Sequence, residues 1–425
     1  MGPQAFIARF DGVRPQAVAL CRHAHDVREV IAFARRHSVG IAIRSGGHCF
    51  AGNSSTDGVI VDVTPMDDVR VDGETARVGA GTRIGALSRA LQEHGVTVPS
   101  GSCPSVGIGG TTLGGGLGVL GRVHGLTCDH MLAAEVVLAD GRVVETDSER
   151  EPDLFWALRG AGGGNFGIVT SFRFRTRTAP RMTNFSYVWD IRHAATVIDA
   201  WQRWAPVAPD EMAAGLALTA TDDVREPPFV EVYGAMLGNE SDALRLLEQL
   251  VERVGAVPRS TSCKELSYRE TADFQAGLLS AANEVVPTPR GPVERQGHRF
   301  TKSEFFSRPL PAEAVERLVS VFVQDRRPGE YRGLEWAPWG GQYCRVPAHA
   351  SAFVHRDQSY SLKHAVLVDG EASGHDKHAA HTWVTRSWGA VHPWGPAPST
   401  RTSPIRRLRT GNVPTTEPTS SVSLG

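Results

Sequence analysis

Two short stretches carry residue types from which chemistry can be built. One is Arg44-Ser45-Gly46-Gly47-His48 and the other is Gly101-Ser102-Cys103-Pro104. In the first, two adjacent glycines after an apolar run, Ile41-Ala42-Ile43, let backbone N–H groups converge on an anion such as a pyrophosphate. Ser45 adds a hydroxyl donor, and His48 stands where the loop would leave the phosphates. A plainer reading is an ordinary strand-to-loop turn ending in a solvent-facing histidine. In the second, a cysteine flanked by small residues precedes the glycine nest Val106-Gly107-Ile108-Gly109-Gly110, a setting for a reactive thiol. The plainer reading is a small buried hydrophobe.

Other patterns carry less. Gly116-Leu117-Gly118-Val119-Leu120-Gly121 spells the dinucleotide pattern GxGxxG, with Asp140 downstream. That pattern needs a strand before it and a helix after it. The preceding Gly109-Gly110-Thr111-Thr112-Leu113-Gly114-Gly115 is too glycine-rich for a buried strand, so an NAD site is not expected. His375, His378 and His381, and Cys21, His23 and His25, lack a second ligand cluster at zinc spacing, so no metal is expected.

The elements that must position these residues follow from periodicity. A strand at 17–21, a helix at 26–36 and the strand at 41–43 form a βαβ opening that runs straight into the first glycine pair. Hairpins are expected around Asp72-Gly73 and Asp140-Gly141. Beyond residue 180, strands at 184–190, 213–220, 228–237, 331–346 and 358–368 alternate with helices at 193–204, 241–254, 311–325 and 375–389. That order predicts a largely antiparallel sheet backed by helices on one face, within an α+β fold. The expected divisions are 10–178, 179–395 and a tail, 396–425, rich in Pro, Ser and Thr, which should be disordered.

Composition bounds the function. The chain has 425 residues, 41% hydrophobic and 21% charged, with net charge −1 and no basic stretch beyond a short run at 405–409, so no nucleic-acid partner is expected. No apolar run suggests a membrane span and no signal-peptide core is visible, so a cytoplasmic location is expected. Six scattered cysteines do not make a disulfide framework. The 45 glycines cluster at 101–125 and 160–167, which points to backbone passing close to a ligand.

Taken in order, RSGGH with Gly52, GSCPSVGIGGTTLGGGLGVLGRVHGLTCDH, VVLADG and PDLFWALRGAGGGNFGIVT resemble the berberine bridge enzyme family. The match covers roughly residues 10–175, with a later stretch, WGGQYCRV and FVHRDQSYSLKHAVLV, at 339–368. The resemblance implies a two-subdomain, PCMH-type FAD-binding domain of the vanillyl-alcohol-oxidase kind plus a substrate domain. It implies FAD bonded twice, His48 to the 8α carbon and Cys103 to C6 of the ring. Arg44, Ser45, Gly46 and Gly47 would then line the pyrophosphate with Gly52 nearby. Val106, Gly107, Gly110, Gly114 and Gly116 would pass the ring and adenine-ribose side, and Gly167, Ile168 and Val169 would meet the adenine end. A valine at position 106 goes with O2 as electron acceptor. The implied activity is hydride removal from an alcohol, sugar or natural-product substrate with reduction of O2 to H2O2. His364, grouped with Leu362 and Val366 on one face of its strand, and Gln342 on the neighbouring strand are the candidate catalytic residues. The sequence does not indicate an oligomeric state.

The chain also departs from the family pattern. Members usually end with a tyrosine in an N-Y-x-R-L context that serves as base, whereas the last tyrosine here is Tyr360 and the likeness stops at Pro396. The tail resembles out-of-frame reading of a GC-rich gene. The expectation that follows is a competing one, a flavin-binding but inactive remnant.

Overall fold

The computed structural model describes residues 5–281 and 297–395. The tail at 396–425 therefore lies outside the described residues. In chain order the strands are β1 (Ala17–Leu20), β2 (Ile41–Arg44), β3 (Val59–Asp62), β4 (Val69–Asp72), β5 (Thr75–Gly79), β6 (Val96–Thr97), β7 (Met131–Val137), β8 (Val143–Thr146) and β9 (Ile168–Arg175) in the first half. The second half contains β10 (Arg177–Thr178), β11 (Arg181–Asp190), β12 (Met212–Ala220), β13 (Phe229–Met236), β14 (Ser260–Ser267), β15 (His298–Phe306), β16 (Glu330–Pro338) and β17 (Tyr360–Val368).

The opening βαβ unit gives a parallel sheet in the order β1-β3-β2, with Ile41–Arg44 running in register along Val59–Asp62. The helix Ala24–His37 is the crossover, and its apolar stripe Val27, Ile31 and Ala34 is buried. A second sheet, β4-β5-β9-β7-β8, is antiparallel throughout. One apolar core joins both sheets and contains Val61, Val63, Val78, Ile108, Val136, Phe172 and Phe174.

The second half is built on a seven-stranded antiparallel sheet, β14-β11-β13-β12-β16-β17-β15. Even-numbered residues of β12, β16 and β17, such as Leu216, Leu218, Leu334, Trp336, Leu362 and Val366, point into a core of their own. The helices Ala194–Trp204, Glu240–Val254, Ala312–Val323 and Gly374–Gly389 supply its other side. Odd-numbered residues of the same strands face the first half. This is the α+β, helix-backed antiparallel architecture anticipated above.

Two differences from the sequence reading matter for the site. The strand expected at 331–346 stops at Pro338, because Gly340 and Gly341 take φ of 91° and 56° and turn the chain. Gln342 therefore opens the short helix Gln342–Arg345 instead of sitting on a strand. Strand β14, Ser-Thr-Ser-Cys-Lys-Glu-Leu-Ser, has little apolar alternation, as suits a strand at a sheet edge.

Two arginines bind the halves together. Arg122, 2% exposed, donates from its guanidinium to the carbonyls of Trp339, Pro206 and Ala208. Arg356 donates to both carboxylate oxygens of Asp129, at 2.9 and 2.7 Å, with only 2% of its side chain exposed. Between them an aromatic stack sits in glycine hollows. Trp339 stacks on Tyr343 at 4.4 Å, and a Cβ at Gly121 or Gly160 would collide with Tyr343 or Phe353.

Candidate functional site: two interlocked glycine loops over a cavity

The loop 44–48 leaves β2 and lies directly against the loop 103–107. A Cβ on Gly46 would run into the backbone of Gly107, and a Cβ on Gly107 would run into Ser45 and Gly46. Only two glycines allow so close an approach. The second loop is itself zipped to residues 82–85. Ile84 N–H donates to Val106 O at 2.9 Å, Gly85 N–H to Pro104 O at 3.0 Å, and Ile108 N–H to Thr82 O at 2.9 Å. His48 and Cys103 are thus carried on two strands of backbone that touch each other.

The side chains differ in setting. The His48 ring stacks on Phe6 with centroids 3.8 Å apart, and Phe6 N–H donates to Gly47 O at 3.1 Å. Burial first, and then the nearby Arg83 cation, push the His48 imidazole down to about 4, so it is neutral at ordinary pH. Cys103 is half-buried, with its sulfur 3.6 Å from Ser105 Oγ, and it lines a cavity of about 630 Å³.

That cavity lies between the loops 97–104 and 117–122 and the odd-numbered face of the large sheet. Ala213 and Gly215 of β12 leave space in its wall. Tyr233, Glu335, Ser361 and Lys363 bring polar groups to it. Sequence reasoning passed over Glu335 and Lys363. Their alternation with Leu334, Trp336, Leu362 and His364 was the available signal.

The remaining expected residues, with Gly163 and Gly164 beside them, differ in their settings. Gly110, Gly114, Gly163 and Gly164 are all exposed, and Gly162 N–H donates to Leu113 O at 2.8 Å, so the two glycine segments adjoin. They form a backbone surface with no side chains, where a dinucleotide could lie flat. Gly52, Gly116 and Gly167 have φ of 81°, 85° and 146° and pack against Phe10, Thr127 and Val137. Ile168 and Val169 are 3% and 4% exposed and are spent in the core, with Val106 packed against its edge. The side chains of Arg44 and Ser45 are also committed. Arg44 donates from Nε and Nη2 to Ser54 O, and Ser45 Oγ donates to Ala80 O at 2.8 Å. An anion at this loop would therefore have to be met by backbone N–H groups. The pattern at 116–121 has structural reasons of its own: a Cβ at Gly118 would strike Ser100 O, and Gly121 receives the Tyr343 hydroxyl.

Both catalytic candidates lie away from the cavity. His364 is fully buried on the helix-backed face of β17, where Nδ1 pairs with Ser387 Oγ at 2.9 Å. Burial, followed by the Lys302 charge, lowers its imidazole to about 3. Leu362 and Val366 share that face because it is the core face. Gln342, on its short helix, does not line the cavity either.

Interlocked glycine loops, a bare glycine shelf and a cavity walled by an antiparallel sheet define a flavin-binding protein of the PCMH type. Residues 15–147 match the FAD binding domain family model. The uncharacterized FAD-linked oxidoreductase YvdP of Bacillus subtilis is 32% identical over 350 residues, covering 81% of this chain and 74% of that protein. Berberine bridge enzyme-like 5 of Arabidopsis thaliana is 30% identical, covering 83% and 68%. The crystal structure of an Acremonium strictum glucooligosaccharide oxidase, described as revealing a novel flavinylation, superposes with TM-score 0.77 at 25% identity, covering 91% and 81%. The chain belongs to the berberine bridge enzyme-like family of FAD-linked oxidoreductases, and it is an FAD-dependent oxidoreductase. Among the described residues no helix is long and apolar enough to cross a membrane.

Proposed function

We propose that the chain is an oxidase carrying FAD bonded to both His48 and Cys103. It would remove a hydride from a hydroxyl-bearing carbon of an alcohol, sugar or natural product and reduce O2 to H2O2. The observation that carries this reading is the contact between Gly46 and Gly107, which joins the two attachment loops, the second of which reaches a cavity through Cys103. The glucooligosaccharide oxidase, with its described flavinylation, supports covalent attachment of the flavin and a hydroxylated substrate. The proposed division of labour gives residues 10–178 the cofactor and 179–395 the substrate.

Bound FAD supplies a two-electron acceptor, and the protein supplies position and electrostatics. Backbone N–H groups of the 44–48 loop would hold the pyrophosphate, with Gly110 and Gly114 beneath the rest of the dinucleotide. His48, neutral through burial, has a lone pair free for bond formation. Two covalent anchors would let the cavity stay open to bulky substrates without loss of the ring. Val106, between the clamp and the core edge, is the residue proposed to leave the ring open to O2.

The test is acid precipitation followed by a peroxide assay. Flavin should stay with the pellet of the unmodified protein and of each single variant, His48→Ala or Cys103→Ala, and only the double variant should release it. A panel of oligosaccharides, simple alcohols and phenolic glycosides should then include one that yields H2O2 in step with flavin bleaching. Release of flavin from the unmodified protein would defeat the bicovalent reading.

A further inference from the structure

On the cavity face of the large sheet, Glu335 of β16 stands directly opposite Lys363 of β17 in the antiparallel register. Lys363 Nζ lies 2.5 Å from Glu335 Oε2. The other carboxylate oxygen, Oε1, is buried and has no hydrogen-bond partner. Both side chains line the 630 Å³ cavity that also holds Cys103. A buried carboxylate oxygen without a donor is costly to maintain, and on a side chain that lines a ligand cavity a hydroxyl on the ligand would satisfy it. We propose that Glu335 is the base that takes the substrate's hydroxyl proton and that Lys363 is the positioning residue that aims it, both acting at the flavin face. This rests on the oxidase reading above.

The geometry divides the roles. Lys363 occupies Oε2, which fixes the carboxylate plane and leaves Oε1 as the carboxylate oxygen without a donor. A substrate hydroxyl placed there donates to Oε1. The carbon–hydrogen pair would leave as hydride, for which bound FAD would supply the two-electron acceptor, while the O–H bond breaks and its proton passes to Oε1. The O–H electron pair would close the carbonyl, so that the carbinol carbon is oxidised by two electrons. Glu335 must be ionised to do this. Its burial favours the neutral acid, but Lys363 and then Arg299 more than offset that and hold the carboxyl below its ordinary range. The reciprocal holds at Lys363, whose burial outweighs Glu335 and lowers the ammonium. Arg299 from β15, Tyr331 from β16, and Tyr233 and Glu231 from β13 surround the pair, and Cys103, Arg122, Arg269, Asp273 and Tyr343 line the same cavity among the described residues. The phenols of Tyr233 and Tyr331 are raised chiefly by burial, and both are neutral donors at working pH. Among the groups on this face, Glu335 combines a carboxyl held below its ordinary range, an acceptor atom without a donor and a place on the cavity wall.

The test uses flavin-loaded protein and three variants, Glu335→Gln, Lys363→Met and the double change, which keeps the face charge-balanced if Lys363→Met alone folds poorly. The first readout is the flavin midpoint potential by dye-coupled reduction, which needs no substrate. Removing the carboxylate should raise the potential, removing the ammonium should lower it, and the double variant should return near the unmodified value. The second readout is kcat on whichever panel alcohol the unmodified protein oxidises. Glu335→Gln should lose about 100-fold or more, as for loss of a general base. Its pH profile should also lack the acid limb expected of the unmodified protein. Potentials that do not move with either variant, or a Glu335→Gln kcat within twofold of the unmodified protein, would overturn the proposal. If the unmodified protein oxidises nothing in the panel, the oxidase reading fails, and the paired potentials decide the placement of Glu335 and Lys363 by themselves.

Discussion

Gly110 separates the cofactor shelf from the fold. It stands exposed in the helix Ile108–Leu113, and a Cβ built on it meets no protein atom within 4 Å. For the protein alone, Gly110→Ala removes backbone freedom from the unfolded chain and should stabilise by about 0.5–1 kcal/mol. If the glycine shelf carries the dinucleotide, the same methyl group projects into the cofactor's volume. Overpacking of that kind costs about 1–3 kcal/mol, which is roughly a 5- to 150-fold rise in Kd. The change is best made in the His48→Ala, Cys103→Ala background, where FAD can be removed and added back. Quenching of flavin fluorescence gives Kd, and urea unfolding of the flavin-free protein gives stability. The expected result is weaker FAD binding in a protein at least as stable as its parent. Unaltered Kd in a folded variant would show that the cofactor does not cross Gly110.

Three further outcomes follow from particular contacts. Arg356→Met leaves the Asp129 carboxylate buried without its partner and should cost about 3–5 kcal/mol in a urea titration; a loss under 1 kcal/mol would show that the pair does not hold the halves together. His130 and His364 are kept neutral by burial, at about 4 and about 3, against 6.5 for a free imidazole. The unfolded chain therefore takes up protons that the fold refuses as pH drops from 6.5 to 4, so stability should fall across that window and be flat above it. Unfolding curves measured between pH 4 and 8 that show no such loss would contradict the assignment. His364→Asn should lower stability through its lost core packing while leaving kcat within twofold, because its ring faces Ser387 and the helices; a large fall in kcat at unchanged flavin content would restore it as a catalytic residue.

The two halves of the site were unequally legible in the sequence. The glycine loops could be read because glycine has few other reasons to cluster, and Gly46 and Gly107 prove to be where two backbones meet. The glycine pattern at 116–121 looked like a nucleotide site for the same reason, although Gly118 and Gly121 are there to receive Ser100 and Tyr343. On β17 alternation gives two faces but does not say which one meets the cavity. Grouping His364 with Leu362 and Val366 was correct as geometry, and those two apolar residues mark the face as core. The polar set Ser361 and Lys363 then had to face the other way. Glu335 gains its meaning only from register, since nothing local in the sequence pairs residue 335 with residue 363. Gln342 was displaced by two glycines whose positive φ ends the strand before it. Arg44 and Ser45 sit in the glycine loop, but their side chains are drawn to Ser54 and Ala80, residues distant enough in sequence that only the fold reveals the choice.

Mass spectrometry of a protease digest tests most directly whether His48 and Cys103 hold one flavin between them. One cross-linked species should appear, containing the His48 peptide, the Cys103 peptide and a single FAD, and it should shrink to one peptide plus FAD in either single alanine variant. Recovery of both peptides at their unmodified masses from a yellow, flavin-saturated protein would contradict the account.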